Sequence, residues 1–386
     1  SSWTAGGSLS NPSGLNCGWG TQTNAIAQCN PSTYKTFEGY DGTSWSSKPS
    51  TATNGNGYAN AAGATGSAGW ITSLGPTYKT TEEFNESVNV VTGATWSSGG
   101  NLNTARDEGA SSQNGLQTAA LYFGGYSSDP ASNATEQYDG STWTTKNNLN
   151  TARYSGAGAG TTAAALYSGG FSNPSTLQSA VEEWDGTNWT TQPNSLSTAR
   201  VNSGGCGLQT SALVFGGVAP SPGSPFDNTE EYDGSAWTNG GAMPSGQSHF
   251  AGYFGTQTAA LAAGGNNPGS TYITTSVEYG GESWTAGGAL ITGTRVGAGA
   301  GIQSDGIVFG GATAPGAPNY TGLTQGYDGT AFSTRPSMAT ARIYPSGTGT
   351  AAAGLAFGGN EPPYGTATEE FTGETSVANV ETFQTT

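Results

Sequence analysis

Residue types that could carry out acid–base or metal chemistry are sparse in this sequence of 386 residues. The single histidine, His249, excludes a histidine-rich metal cage, and we expect it to have a structural role on an inner strand. Neighbouring acids such as Glu182 and Glu183 would point to opposite faces of a strand, so they cannot form an acid–base pair. A remaining route to catalysis is a set of acids on separate loops: Asp129, Asp227 and Glu361. We predict a protein that is not an enzyme and that uses no cofactor or metal.

Two charged residue types recur at regular intervals. An arginine that follows Thr-Ala, or a variant of that dipeptide, stands at 106, 153, 200, 295 and 342, and Gln247 takes its place once. Arg153 could bind an anionic ligand, but a residue present in every repeat is typical of a scaffold. We expect these arginines to pair with third-strand carboxylates such as Glu136 and Glu183, or with carbonyls at strand ends. The Asp of each Asp-Gly dipeptide is assigned to turns, since isolated carboxylates cannot supply the roughly six to eight oxygens that calcium needs.

The charge balance narrows the classes of partner. The chain has 26 acidic and 10 basic residues and a formal net charge of −16, which disfavours contact with nucleic-acid phosphates. No apolar run approaches the length of about 18 residues that spans a bilayer, so we expect no membrane insertion. Three cysteines, Cys17, Cys29 and Cys206, match no zinc-binding spacing.

The phrase EEYDGSAW at 230–237 is repeated along the chain with small changes. It returns as EGYDGTSW at 38–45, EQYDGSTW at 136–143, EEWDGTNW at 182–189 and VEYGGESW at 277–284. Gly-Gly pairs keep an interval of 45 to 48 residues, at 124–125, 169–170, 216–217, 264–265, 310–311 and 358–359. A period of this length is typical of stacked supersecondary repeats.

One repeat, 151–189, divides into four short segments of β-type sequence, each bounded by Gly, Pro or Asp-Gly turn signals. Asp185 and Gly186 indicate a tight hairpin, since glycine accepts a positive φ. No segment shows a sustained period of 3.6 residues, so helices should be nearly absent. We therefore predict four antiparallel strands per repeat, which must stack on neighbouring repeats to bury both faces.

These features resemble the kelch-repeat β-propeller, whose blade has Gly-Gly at the end of the second strand, an aromatic residue ending the third and a Trp in the fourth. The corresponding residues here are Gly169, Gly170, Trp184 and Trp189, and the resemblance extends over most of the chain. The amino-acid sequence of the repeats is also similar to that of kelch-like proteins of marine bacteriophages and aquatic bacteria. The resemblance implies an all-β propeller, and the number of repeats predicts eight blades in a single domain, 1–386.

The two ends of the chain are expected to close this propeller. Trp3 and Leu9 repeat the spacing of Trp96 and Leu102, so we predict that residues 1–10 supply the fourth strand of the last blade. Residues 372–386 are then a C-terminal extension. The alternatives are that 377–386 forms the closing strand itself, or that the chain has seven blades and a degenerate flank.

The connections between second and third strands are long and all different, whereas the hairpin turns are short and uniform. Because the strands alternate in direction, the long loops share one face, and divergence on one rim of a rigid scaffold is typical of a binding face. Each loop has an aromatic ring suited to stacking on a sugar or anchoring a protein. The predicted ligand-binding residues are Tyr126, Phe171, Phe226, Tyr272, Tyr320 and Tyr364. The alternative for each ring is packing onto the blade ends.

Three classes of function fit these features. The resemblance to phage proteins favours a virion or cell-surface recognition module, such as a phage tail or capsid appendage, that binds host glycan or surface protein through the long-loop face. It implies a location on the virion surface or outside the cell, with other virion or surface subunits as partners. The second class is a purely architectural subunit that docks on a neighbouring protein. The third is a secreted glycan-processing enzyme, which a convergent acid cluster would support.

Overall fold

The computed structural model describes residues 7–10, 17–29, 36–51, 59–66, 68–73, 81–85, 91–127, 131–172, 176–219, 224–313, 320–360, 364–376 and 382–385. Every regular element in these segments is a β-strand, which confirms the predicted all-β class. The first strands are β1 Gly18–Thr21, β2 Asn24–Cys29, β3 Thr36–Tyr40, β4 Trp45–Lys48, β5 Ala59–Thr65, β6 Ala68–Ser73, β7 Thr81–Asn85, β8 Val91–Thr92 and β9 Thr95–Ser98. The next are β10 Ala110–Ser111, β11 Ala120–Phe123, β12 Thr135–Tyr138, β13 Trp143–Lys146, β14 Ala157–Gly160, β15 Ala165–Ser168, β16 Phe171–Ser172, β17 Thr176–Leu177, β18 Val181–Trp184, β19 Trp189–Thr191, β20 Gly204–Leu208, β21 Ser211–Phe215, β22 Thr229–Tyr232 and β23 Trp237–Asn239. The remainder are β24 Gly252–Thr256, β25 Ala259–Ala263, β26 Asn266–Asn267, β27 Ser270–Thr271, β28 Ser276–Tyr279, β29 Trp284–Ala286, β30 Ala298–Ile302, β31 Asp305–Phe309, β32 Thr324–Tyr327, β33 Phe332–Arg335, β34 Ser346–Gly349, β35 Ala353–Phe357, β36 Thr368–Thr372, β37 Thr375–Ser376 and β38 Thr382–Thr385.

The chain divides into two compact units, where the sequence predicts a single domain. Gly93–Glu374 forms one of them, called here the six-sheet unit. Ser1–Thr92 and Thr375–Thr386 form the other, called the two-sheet unit.

The six-sheet unit repeats one antiparallel pattern, which confirms four strands per repeat. The strand orders are β10-β11-β12-β13, β14-β15-β18-β19, β20-β21-β22-β23, β24-β25-β28-β29, β30-β31-β32-β33 and β34-β35-β36-β9. The first strand of each sheet contacts the first strand of the next, and β34 contacts β10. The contacts between sheets therefore run in a cyclic order.

The apolar core lies between neighbouring sheets. Trp189 of the second sheet packs on Phe123 of the first, with ring centroids 4.8 Å apart, and donates its indole N–H to Thr135 Oγ1 at 2.9 Å. Trp143 makes the same bond from the first sheet to Thr368 of the sixth, also at 2.9 Å. These tryptophans therefore join their sheets to the preceding ones by both packing and a hydrogen bond, whereas the indole N–H of Trp237 in the third sheet has no partner among the described residues.

The Asp-Gly dipeptides lie in the hairpins between third and fourth strands, as predicted. Asp139 Oδ1 accepts hydrogen bonds from the backbone N–H groups of Thr142 and Ser141 at 2.8 and 2.9 Å, and Gly140 has a φ of 93°. These bonds stabilise the carboxylate and lower the pKa of Asp139 to about 2. The recurring aspartate is therefore a turn residue.

The sixth sheet is completed by β9, which pairs with β36 and places Trp96 opposite Phe371. The prediction that residues 1–10 supply this strand is wrong; residues 1–6 themselves lie outside the described part of the chain. The alternative closure by 377–386 is also wrong, because β38 pairs with β7 in the two-sheet unit.

The spacing of aromatic residues explains why β9 takes this position. In other sheets a tight turn places the fourth-strand aromatic five positions after the third-strand aromatic, as Tyr138 and Trp143 show. Phe371 has no aromatic residue five positions later, and Trp96 has none five positions earlier. Each supplies the partner that the other lacks, so the sheet closes with a strand from the start of the unit.

The two-sheet unit contains the sheets β1-β2-β3-β4 and β38-β7-β6-β5 and the strand pair β37-β8. Its β1 contacts β5. Trp19 is buried, with its ring centroid 6.2 Å from Phe37 of one sheet and 6.0 Å from Phe84 of the other. Both sheets thus have four strands although the first two repeats lack the Gly-Gly pair, and the second sheet takes its fourth strand, β38, from the C-terminal end of the chain.

Candidate functional site

Four of the recurring arginines are fully buried, and each pairs with a third-strand glutamate of its own sheet. The pairs are Arg106–Glu136, Arg153–Glu182, Arg200–Glu230 and Arg342–Glu369. Arg153 also donates to the carbonyls of Gly169 and Ala180 at 3.0 and 2.7 Å. The scaffold interpretation is confirmed for these four. Glu183 was the wrong partner, because it accepts a hydrogen bond from the Tyr232 hydroxyl of the next sheet at 2.8 Å.

The arginine and its glutamate are replaced together in the two remaining sheets. The fourth sheet has Gln247 and Val277 in these positions, and the fifth has Thr294 and Gln325. Backbone hydrogen bonds show that Thr294, and not Arg295, is equivalent to the four arginines. The carbonyl of Thr294, like theirs, accepts a hydrogen bond from the second glycine of a Gly-Gly pair. Arg295 therefore stands one position later than the repeat predicts and is not one of the scaffold arginines.

The residue two positions after each member of this series has a left-handed backbone. These six residues, called the αL set, have φ between 51° and 55°: Glu108, Ser155, Asn202, His249, Val296 and Tyr344. Non-glycine residues rarely adopt this conformation, and for a β-branched residue such as Val296 it is a clear outlier. Such a conformation persists only where the surrounding structure enforces it, and it concentrates at binding and active sites.

Backbone hydrogen bonds between neighbouring sheets hold the αL set in place. The N–H of Ser155 donates to the carbonyl of Glu108 at 2.7 Å. Four further bonds of 2.7 to 3.0 Å continue from one member to the next as far as Tyr344. The repeated left-handed conformation therefore belongs to the contact between sheets, whatever the side chain.

The αL set lines a cavity of about 70 Å³ together with Phe250, Tyr253, Pro345 and several glycines. A space of this size holds about two water molecules or one small substituent. At equivalent backbone positions the lining presents a carboxyl, a hydroxyl, an amide, an imidazole, an isopropyl and a phenol group. The scaffold repeats while the lining varies, which is expected of a pocket that distinguishes the sides of an asymmetric ligand.

The first sheet places two carboxyl groups at this end. Glu108 accepts a hydrogen bond from the Ser155 hydroxyl, and burial raises the pKa of Glu108. Asp107 is 4% exposed; burial and the neighbouring Glu108 raise its pKa to about 7, although the Asn360 side chain donates a hydrogen bond to it. Both carboxyl groups are therefore biased toward the protonated form, which can donate as well as accept hydrogen bonds.

His249 lines the cavity and precedes β24, whereas the sequence predicts a structural residue on an inner strand. Its Nδ1 lies 3.0 Å from Ser248 Oγ. Burial and the positive charge of Arg295 lower the pKa of His249 to about 4. The imidazole is therefore neutral at pH 7 and offers one donor and one acceptor.

We expect the ring of His249 to titrate near pH 4 in the folded protein. As the only histidine, it gives a single Cε1–H signal that proton NMR can follow. Because the folded pKa lies below the unfolded value of 6.5, the neutral ring contributes stability that is fully present above pH 6.5 and is lost as pH falls through 4. Arg295→Gln should raise the pKa, since it removes a nearby positive charge. A folded-state pKa at or above 6.5 would contradict the burial of this ring.

Three of the predicted loop residues join a fourth ring in a row. The ring centroid of Tyr126 lies 5.9 Å from that of Tyr364 and 5.2 Å from that of Tyr154. The centroid of Tyr154 in turn lies 5.5 Å from that of Phe171. All four rings are half-buried. We call the row of Tyr364, Tyr126, Tyr154 and Phe171 the aromatic ridge.

The aromatic ridge and the cavity occupy the same end of the sheets. Tyr154, directly before Ser155 of the αL set, forms a β-bridge with Phe171, directly after a Gly-Gly pair. Asp107 and Tyr126 form the equivalent bridge in the first sheet. The long loops therefore begin beside the residues that line the cavity.

The other three predicted rings are half-buried, and no ring contact joins them to the ridge in the described segments: Phe226, Tyr272 and Tyr320. The guanidinium of Arg200 lies 5.8 Å from the ring centroid of Phe226, and that of Arg295 lies 5.0 Å from the ring centroid of Tyr272. The structure thus assembles three of the six predicted residues and stacks two others against arginines.

The acids predicted as an alternative catalytic set are not assembled by the described residues. Asp227 is exposed, and Asp129 and Glu361 lie outside those residues. Sequence reasoning missed Tyr154 and the αL set. The sequence does contain a signal for the αL set. The two residues that follow each arginine, or the residue in its place, differ in every repeat, although the segments on both sides are similar; they are DE, YS, VN, SH, RV and IY. The residues that line the cavity could therefore be found in the sequence by their variation between repeats, and not by their residue types.

Comparison with known proteins assigns no family to this chain. No protein-family model matches it, and no curated protein matches it. Over the described ranges there is no helix of the length and apolar character needed to cross a membrane. The same ranges contain no group of three or more His, Cys, Asp or Glu side chains that could hold a metal ion.

Proposed function

We propose that the six-sheet unit is a six-bladed β-propeller of the kelch type, in which each four-stranded sheet is one blade. The cyclic contacts between first strands support this proposal, as do the Gly-Gly pairs that end the second strands. Pairing β9 with β36 completes the last blade and leaves no exposed edge on its third strand. The count is six blades where the sequence predicts eight, because the first two repeats as far as Thr92 belong to the two-sheet unit.

We infer that this propeller is a non-enzymatic recognition module, which binds a saccharide of a host surface at the end that carries the cavity and the aromatic ridge. The αL set carries the proposal. The fold maintains six unfavourable backbone conformations at equivalent places and fills them with six different side chains. That variety adds nothing to a purely architectural module, whereas it gives a binding module selectivity.

The chemistry of this end suits a sugar. The half-buried rings of the aromatic ridge can stack on the apolar face of a pyranose. The cavity adds uncharged donors and acceptors from Ser155, Asn202 and His249, which match sugar hydroxyl groups. Its volume of about 70 Å³ accommodates a substituent of the sugar. The sugar ring would therefore lie on the ridge with one substituent in the cavity.

The proposed setting is the surface of a virion or a cell, with other virion or surface subunits as partners. The similarity of the repeats to kelch-like phage proteins supports this setting. A net charge of −16 also disfavours self-association of an exposed protein. Display in many copies would let weak single sites suffice, because avidity adds about 10²–10⁴ in apparent affinity.

Binding to a broad glycan panel tests this proposal. The triple variant Tyr126→Ala/Tyr154→Ala/Phe171→Ala removes three rings of the ridge. We expect it to bind about 100-fold more weakly than the wild type, since each stacked ring contributes about 1 kcal/mol and three contribute about 3 kcal/mol. Circular dichroism of the variant verifies that its fold is retained.

The opposite end of the blades provides the control. Leu116, Leu208 and Ile302 are 58%, 47% and 58% exposed at the turns between first and second strands. Changing all three to alanine should leave glycan binding unchanged. If the wild type, displayed in many copies, binds no glycan, the architectural alternative is favoured. Release of reducing sugar would favour the glycan-processing alternative.

A further inference from the structure

Arg295 is a cation at the cavity end that the scaffold does not use. The four scaffold arginines each bind a glutamate, but Arg295 forms no ion pair with any described residue. Its side chain is half-buried. Its Nε is buried without a hydrogen-bond partner in the described segments, as are those of Arg106, Arg153 and Arg342, so the missing glutamate is what distinguishes Arg295. With 26 acidic residues in the chain, a carboxylate partner for a structural arginine would be easy to supply. An unpaired guanidinium here indicates a partner from outside the protein.

The surroundings of Arg295 hold its guanidinium in place. Its backbone forms a β-bridge with Ala312, with hydrogen bonds of 3.1 and 2.9 Å, and its guanidinium lies 5.0 Å from the ring centroid of Tyr272. The next residue, Val296, lines the cavity and bonds through its backbone to His249 on one side and Tyr344 on the other. Stacking on an aromatic ring orients the guanidinium plane and leaves its N–H groups free to meet a bidentate acceptor.

The electrostatics of this end favour one negative charge near Arg295. The positive charge of Arg295 helps to lower the pKa of His249. It also opposes the rise that burial causes in the pKa of Tyr344. The carboxyl groups of Asp107 and Glu108 are held toward their neutral forms, so they repel an incoming anion less than two carboxylates would. One guanidinium balances one negative charge, which matches a carboxylate.

We propose that the saccharide bound at this end carries a carboxylate, as a uronic acid unit does, and that Arg295 binds that carboxylate. This inference rests on the proposed function and adds the substrate class. The planar fork of a guanidinium matches the two oxygens of a carboxylate. Arg295 belongs to the fifth blade, and the aromatic ridge begins with Tyr364 in the sixth. Carboxylate binding and ring stacking therefore use neighbouring blades.

Oligosaccharides of galacturonic acid and their methyl esters are a matched pair of probes, since they differ in charge and share the same sugar ring. With the full chain, we expect calorimetry to show binding of the acid about 10–100-fold tighter than binding of the ester, the range for hydrogen bonds to a charged group. Arg295→Gln should remove this preference and retain binding of the ester. Arg295→Lys should restore part of the preference, because the charge returns without the planar fork.

The matched control is Arg335, an exposed arginine at the end of β33. Arg335→Gln should leave the preference for the acid unchanged. Equal binding of acid and ester by the wild type, or equal losses in Arg295→Gln and Arg335→Gln, would overturn this inference and leave saccharide recognition intact. If neither these probes nor any other saccharide bind, the inference and the proposed function both fail. Displacement of the acid by an equal concentration of inorganic phosphate or sulfate would overturn carboxylate selectivity and identify a general anion site.

Discussion

Arg200→Gln is expected to lower the free energy of unfolding of the six-sheet unit by about 3–5 kcal/mol, the cost of breaking a buried ion pair. Arg200 has no exposed surface and donates to Glu230 and to the carbonyls of Gly216 and Asn228, the last two at 3.0 and 3.2 Å. Without the guanidinium, the buried Glu230 carboxylate loses its charged partner and keeps only the backbone N–H groups of Ser197 and Thr198, and two carbonyls each lose one donor. Urea unfolding followed by hydrogen exchange in peptides from β20 to β23 measures the loss.

The fourth sheet of the six-sheet unit provides the matched comparison for this prediction. It has Gln247 and Val277 where the third sheet has Arg200 and Glu230. The double variant Arg200→Gln/Glu230→Val therefore copies a combination that the fold already contains. We expect it to recover part of the lost stability, since no unpaired buried charge remains, while the N–H groups of Ser197 and Thr198 lose the carboxylate that accepts from them. Additive losses in the double variant would show that the two residues do not act as a unit.

Trp96→Ala is expected to destabilise the six-sheet unit by about 3 kcal/mol, near the lower bound for removing a packed tryptophan because this ring is only half-buried. The Trp96 ring centroid lies 5.2 Å from those of Phe309 and Phe371, and its indole N–H donates to Thr324 Oγ1 at 3.0 Å. The variant therefore weakens both the pairing of β9 with β36 and the contact with the fifth sheet. Faster hydrogen exchange in β34 to β36 measures this effect.

Trp3→Ala is the control, since the sequence predicts the same closing role for residues 1–10. Because β9 occupies the edge of β36, this variant should leave hydrogen exchange in β34 to β36 unchanged. A larger effect from Trp3→Ala than from Trp96→Ala would contradict closure by β9.

The strand pattern and the scaffold residues were predictable because their contacts repeat with the sequence. Short β-type segments between turn dipeptides predict antiparallel strands, and Asp139 forms the hairpin turn that its glycine neighbour indicates. An arginine that recurs with the repeat must contact a group that recurs as well, as Arg153 and Glu182 do. The loss of the arginine in the fourth sheet is visible in the sequence as Gln247, whereas in the fifth sheet the hydrogen bond from Gly265 to the carbonyl of Thr294 shows that Thr294, and not Arg295, takes the place of the arginine.

The partners of individual strands were not predictable in the same way. Trp3 and Trp96 have the same local spacing, and each resembles a fourth strand that lacks its own third strand. Backbone hydrogen bonds between strands carry little sequence information, so a fourth strand is locally interchangeable among sheets. Which strand completes the last sheet therefore depends on the tertiary structure, and the pairing of β9 with β36 decides it.

The sequence alone determined the four-stranded sheet, because in five of the six sheets the four strands and the hairpin between the third and fourth are formed within one repeat. Each arginine–glutamate pair also lies within one repeat. The tertiary structure decided the site. Members of the αL set stand 47 or 48 positions apart and share no side-chain chemistry; their common feature is a backbone conformation supported by hydrogen bonds between sheets, such as that from Ser155 to Glu108. Arg295 differs from the scaffold arginines by a shift of one residue, which only the alignment of neighbouring sheets shows. Residues of this kind meet only when the sheets are assembled.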